Sequence, residues 1–297
     1  MAEFGQLMKK LQQNFQIPTL RTQSRLLPLQ PEETIFYAAF PNYGESAHQA
    51  LGIFQQELKD SPVLRSWWQR GDMATQGPKV EDALEKIYQL SQYLGDEIAL
   101  SATTAGRKEP SVLMVAEVRK PGLKDFLLQM TKEIPGKSTA TVRIFDAQEL
   151  AKANDAALSK DVVILVRPDF MVAASDVAAL RTFNARLDRK GEEFASTPFG
   201  RRLAQSYADG TSGVGGFDLQ KLLKQYLPPG LNPASPQVNG LAARNAKLFQ
   251  QSGFADVKYL IWQQKTVEGH AAGEMELSFS GPRHGIASWL GAPGPGG

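Results

Sequence analysis

The sequence predicts an α+β fold: two related lobes of mainly antiparallel sheet packed with helices. Three observations lead there. Strand-length apolar runs arrive mostly as hairpins rather than in strict βαβ alternation, which favours α+β over a doubly wound parallel sheet. The length of 297 residues divides into two units at ~150 residues each. The phrase Ser61-Pro62-Val63-Leu64-Arg65-Ser66-Trp67 is echoed by Thr197-Pro198-Phe199-Gly200-Arg201-Arg202-Leu203, each placed before a loop and after a strand–helix pair. The expected organisation is an amphipathic N-terminal helix over 1–16, a connector over 17–34, a first lobe over 35–140, a second over 141–290 and a flexible Gly/Pro tail over 291–297.

In chain order, Phe4, Leu7, Met8, Leu11 and Phe15 recur at helical spacing around Lys9 and Lys10. Pro18, Pro28 and Pro31 argue against helix in the connector. Residues 35–40 are β-branched and aromatic and end at Pro41-Asn42-Tyr43-Gly44, a strand followed by a turn. Ala47, Ala50, Leu51, Phe54 and Leu58 give a helical face with Ser46 as N-cap. Ser61-Pro62 restarts the chain as a short helix carrying Trp67 and Trp68, and 71–78 is expected to be a loop. Val80, Leu84, Ile87, Leu90 and Leu94 define the next helical face, with Asp82 and Lys86 paired at i,i+4 and Gly95 as its C-terminal cap. Strands are expected at 98–103 and 112–118, and a helix through Leu123, Phe126, Leu127 and Met130.

The second half repeats this grammar. A strand at 141–145 precedes a helix over 147–157. Strands at 162–166 and 171–175 flank Arg167-Pro168-Asp169-Phe170, where proline suits the second position of a turn. Ser175 is expected to cap a helix carrying Val177, Leu180, Phe183 and Leu187, with Asp176 at its positive end. A strand at 213–218, a proline-stiffened excursion at 227–237 and a helix at 242–249 follow. Strands at 257–263 and 272–280 close the fold; in the last, Met275, Leu277 and Phe279 alternate with Glu274, Glu276, Ser278 and Ser280, one buried face and one wet.

Composition narrows function mainly by exclusion. The hydrophobic share of 42% becomes about 48% with glycine added and tyrosine removed, inside the ~45–50% of globular domains. Lys and Arg number 33 against 31 Asp and Glu, so the basic stripe of a nucleic-acid protein is not expected. Cysteine is absent, which removes disulfides, zinc-thiolate sites, iron–sulfur clusters and thiol nucleophiles. No run approaches the ~18 apolar residues of a spanning helix, and the N-terminus has no apolar core followed by a small-residue cleavage site.

Catalytic signatures are equally sparse. His48, His270 and His284 have no metalloprotease spacing, and no serine sits in a Gly-x-Ser-x-Gly elbow. Gly136-Lys137-Ser138 lacks the first glycine of a phosphate loop, since position 131 is Thr131. Gly213-Val214-Gly215-Gly216 lacks the dinucleotide pattern and fits close packing or a bulge. Glu274 and Glu276 share a strand face about 7 Å apart, near the separation of an inverting glycosidase pair; a solvated sheet face is the simpler expectation. Trp67-Trp68 on a helix leaves one indole turned from the core, an aromatic platform for a sugar or a partner. No metal site and no cofactor is expected.

The phrases Leu27-Pro28-Leu29-Gln30-Pro31-Glu32-Glu33-Thr34, Phe36-Tyr37-Ala38-Ala39-Phe40-Pro41-Asn42, Ser61-Pro62-Val63-Leu64-Arg65-Ser66-Trp67-Trp68, Tyr93-Leu94-Gly95-Asp96-Glu97-Ile98-Ala99-Leu100 and Val115-Ala116-Glu117-Val118 carry a resemblance. From about residue 27 to about 290 the chain resembles uncharacterised exported proteins of acidobacteria, similar to a domain family of unknown function also found in cyanobacteria. The resemblance implies an extracytoplasmic location, periplasmic or cell-surface. It also implies a further lobe after Ser288-Trp289-Leu290 and a preceding export segment, so either the chain is a processed or trimmed piece or its export differs. It brings no catalytic residue. The expected function is a non-catalytic bacterial binding or scaffold domain of a membrane-associated assembly. Its expected partner-binding residues are Phe4, Leu7, Met8, Leu11, Phe15, Trp67 and Trp68. A carboxylate-dependent hydrolase and an accessory subunit of an intracellular complex are the alternatives.

Overall fold

The computed structural model describes residues 2–14, 20–104, 109–133, 141–154, 162–189, 193–227, 231, 240–267 and 270–290. The expectations for Phe15, for 16–19, for 136–138, for 155–157, for most of 227–237 and for 291–297 lie outside the described residues. The fold is α+β. The strands are β1 (Thr34–Pro41), β2 (Leu94–Thr103), β3 (Ser111–Val118), β4 (Val142–Phe145), β5 (Val162–Val166), β6 (Phe170–Ala174), β7 (Gly213–Asp218), β8 (Val257–Val267) and β9 (His270–Phe279). The helices are α1 (Ala2–Asn14), α2 (Gly44–Asp60), α3 (Pro62–Trp68), α4 (Met73–Ser91), α5 (Leu123–Glu133), α6 (Ala147–Lys152), α7 (Val177–Arg189), α8 (Glu193–Ser196), α9 (Pro198–Ala208), α10 (Leu219–Tyr226) and α11 (Gly240–Ser252).

The nine strands form one sheet in the order β4-β5-β6-β3-β2-β1-β7-β8-β9. Every neighbouring pair is antiparallel except β4–β5, which is parallel and therefore needs the α6 crossover that joins them. Two separate lobes are not evident. Strands from 35–140 occupy the middle, and strands from 141–290 flank them on both sides through β3–β6 and β1–β7 pairing.

One face of the sheet carries the main core. Tyr37, Ala39, Ala99, Leu113, Val115, Leu165 and Val172 meet Leu180 and Phe183 of α7, Phe194 of α8, and Phe199, Leu203 and Tyr207 of α9. On the other face Leu123 and Leu127 of α5 cover Leu94, Ala116 and Met171. The strand period of two puts alternate residues on the two faces, so every strand between two flanking layers reads as nearly continuous apolar sequence.

The connector is not a spacer. Leu26 is wholly buried and Leu27 nearly so, both inside the main core, and Arg21 bridges in antiparallel fashion to Thr211. Its polar residues feed a buried cluster. Ser24 Oγ donates to Glu97 Oε2 at 2.6 Å, Arg21 Nη1 lies 2.6 Å from Glu97 Oε1, and the Tyr207 hydroxyl donates to Glu97 Oε1. The Tyr37 and Tyr207 hydroxyls are 3.1 Å apart, and Arg21 lies over the Tyr207 ring. Burial, reinforced by the Glu97 charge, pushes both phenols above their ordinary pKa.

Several local expectations are corrected. The Gly44 amide donates to Asn42 Oδ1, so α2 starts two residues before Ser46, which lies inside the helix. The 71–78 loop is helix from Met73, with Pro78 inside α4. There the Trp68 indole lies where a Cβ on Gly77 would sit, 2.6 Å away, so tertiary packing overrides the proline signal. On α4, Val80 and Ile87 are exposed while Leu84 and Leu90 are half-buried, because α2 rather than the sheet covers much of this helix. Gly95 is not a cap: α4 ends at Ser91 and Gly95 belongs to β2. α7 is capped by Asp176, whose Oδ1 accepts from the Ala179 amide at 2.7 Å, not by Ser175. Met275 is exposed, so the apolar face of β9 is not uniformly buried.

Other expectations hold in detail. Arg167-Pro168-Asp169-Phe170 is a tight turn, closed by the Arg167 amide donating to the Phe170 carbonyl at 2.8 Å. The two similar Ser/Thr-Pro phrases share one device: Ser61 Oγ accepts from the Leu64 amide and Thr197 Oγ1 from the Gly200 amide, with proline at the first helical position. Gly215 and Gly216 of β7 serve close packing. A Cβ on Gly215 would lie 2.1 Å from the Trp262 ring. Strand propensity alone would make Gly215→Ala stabilising; here it is expected to cost about 1–3 kcal/mol through overpacking. Denaturant unfolding checks this, with recovery on adding Trp262→Leu.

Candidate functional site

α3 is a short helix anchored at its N-terminal end. Ser61 Oγ accepts from the Leu64 amide at 3.1 Å and itself donates to the Glu3 carboxylate of α1. α1 lies across α2 and α3 with Leu7 buried and Lys10 paired to Glu57 of α2. That pairing raises the Lys10 pKa.

Aromatic contacts run through this layer. The Phe4 ring stands edge-on to Trp67 at 5.0 Å, Trp67 tilts against Trp68 at 5.7 Å, and Trp68 meets Phe54 edge-on at 4.7 Å. Trp68 is thereby taken up in packing between α2, α3 and α4. Trp67 keeps 40% of its surface exposed and Val63, one turn earlier, 53%. Together with Pro62, Ser66, Arg70 and Gly71 they line a depression of about 630 Å³. Arg70 is exposed, and its guanidinium has no ion pair or hydrogen bond among the described residues.

The residues named from sequence therefore divide. Leu7 is buried, Phe4 and Leu11 are half-buried, and Met8 is the open member of α1. Phe4, Trp67 and Trp68 come together; Phe15 lies outside the described residues. Sequence reasoning missed Val63 and Arg70. The signal was present, since positions 63, 66, 67 and 70 recur at the spacing of one helical face.

The carboxylate pair is arranged differently from an acid/base couple. Glu274 accepts from Gln263 at 2.7 Å and lies 3.3 Å from Lys265 Nζ, and these bonds hold its carboxyl below the usual range. Glu276 pairs with Arg202 at 2.6 Å. A general acid for glycoside cleavage needs a raised pKa, the opposite environment. His48 stacks on Tyr88 at 4.0 Å with Nδ1 3.2 Å from Glu85, and His284 pairs with Asp256 at 2.8 Å; the His270 side chain lies outside the described residues. Among the described residues no group of three or more His, Asp or Glu could hold a metal ion, and no helix is long and apolar enough to cross a membrane.

Comparison with protein-family models, with curated proteins and with solved structures finds no match to this chain.

Proposed function

We propose that the chain is a non-catalytic binding module of a bacterial extracytoplasmic assembly, docking a protein partner at the depression around Trp67. The observation that supports this most is one half-open tryptophan, fixed between Phe4 and Trp68, beside an arginine with no partner among the described residues. Trp and Arg are the residue types that dominate binding energy at interfaces, and a pre-fixed indole loses little conformational entropy on docking. The partner chemistry that fits is an apolar anchor seated on Trp67 and Val63 with a carboxylate opposite Arg70. The extracytoplasmic location rests on the sequence resemblance alone.

A photo-crosslinking residue in place of Val63, in the native bacterium, tests the reading. The expected result is one discrete adduct from the extracytoplasmic fraction, and at least about 30-fold weaker affinity of the identified protein for Trp67→Ala. Leu241→Ala, at an exposed residue elsewhere on the surface, is expected to bind as the parent does. An adduct and an affinity indifferent to both Trp67→Ala and Arg70→Ala would overturn the site; recovery of the protein in the cytosol would overturn the location.

A further inference from the structure

We propose that a cavity beneath α7 binds a short zwitterionic ligand, an α-amino acid with a side chain the size of that of alanine or serine. The cavity has a volume of about 110 Å³ and shares no residue with the Trp67 depression. At ~30 Å³ per water it has room for about four waters. Glu33, Thr103, Ser111, Leu113, Phe183 and Arg186 are among its lining residues. They come from the approach to β1, from the facing ends of β2 and β3, and from α7.

Each group asks something different of an occupant. Leu113 and Phe183 are buried and offer an apolar wall to a small side chain. Thr103, opposite Ser111 in the β2–β3 register, is 3% exposed, and its hydroxyl has no hydrogen-bond partner among the described residues. A buried hydroxyl left so is unfavourable, and a polar occupant relieves it.

The charges are the most selective feature. Glu33 and Arg186 line the same small cavity, yet no ion pair joins them. One guanidinium nitrogen of Arg186 bonds Glu193, and the Glu33 carboxylate has no side-chain partner among the described residues. A simple anion would meet Glu33, and a simple cation would leave the remaining guanidinium nitrogens of Arg186 unused. A neutral molecule would use neither. A zwitterion satisfies both, its carboxylate toward Arg186 and its ammonium toward Glu33, each bond charge-assisted. The volume matches a side chain the size of that of alanine or serine better than one as large as that of leucine.

Titration calorimetry on the full chain with alanine, against acetate, methylamine and leucine, tests this. Alanine is expected to bind at least tenfold tighter than each of the other three. Glu33→Gln and Thr103→Val are each expected to weaken it about tenfold. Glu33 is exposed, so Glu33→Gln is expected to fold as the parent does and keeps the test open if Thr103→Val is unstable. Absence of alanine binding to the folded parent chain would mean that the cavity holds water only and would overturn the proposal. So would alanine bound no tighter than acetate or methylamine, or affinity unchanged in both variants.

Discussion

Replacing Arg21 by alanine is expected to destabilise the fold by about 3–5 kcal/mol, because it leaves the Glu97 carboxylate buried without its cation. Both side chains are largely withdrawn from water, at 15% and 7% exposure. Ser24 and Tyr207 would remain as hydrogen-bond donors, but two neutral donors do not replace a guanidinium. The loss extends beyond the pair, since Arg21 Nη2 also donates to the Ser212 carbonyl at 2.7 Å and so holds the segment before β1 against the start of β7. Denaturant unfolding of Arg21→Ala measures the effect. The double variant Arg21→Met/Glu97→Gln, which removes both charges, is expected to recover at least half of it. A loss under ~1 kcal/mol, the range of exposed ion pairs, would show that water reaches the carboxylate.

Leu26→Ala is expected to cost about 2–5 kcal/mol, the range of large-to-small changes at fully buried sites. Leu26 has no exposed surface and belongs to the main core, although it lies in a segment rich in proline and polar residues. Leu20→Ala in the same segment, at an exposed position, is expected to stay within ~0.5 kcal/mol. Equal effects from the two substitutions would mean that the segment packs loosely. Urea midpoints for the two variants, compared at constant slope, separate these outcomes.

The contrast shows what was legible in the sequence. Hairpins were, because alternation and turn residues are local: Arg167-Pro168-Asp169-Phe170 sets both its turn and the strands beside it. The role of Leu26 was not. An aperiodic segment has no face to read, and its burial is decided by α7–α9 packing from more than a hundred residues away. Pro78 misled for the same reason, since the Trp68–Gly77 contact that supports helix there is tertiary. The alternation of β9 was legible, but how far its apolar face would be covered was not, because that depends on where the helices dock. Of the candidate site, the Trp67-Trp68 pair could be found, since two consecutive helical residues cannot both point inward. The Glu33–Thr103–Arg186 grouping could not: its members come from three elements, and only the sheet order brings them together.

That strand order also has a consequence for how the chain is made. The three central strands are synthesised first, and β1 must keep its free edge until β7 arrives; Ala38 pairs with Gly215 across most of the polypeptide. On the other side β3 waits for β6. A nascent chain of about half length therefore presents two unprotected strand edges at once, the template on which intermolecular strand addition starts. Closing such long loops is slow. A longer-lived half-made sheet is thus expected to lower yield at high expression even when the finished one is stable.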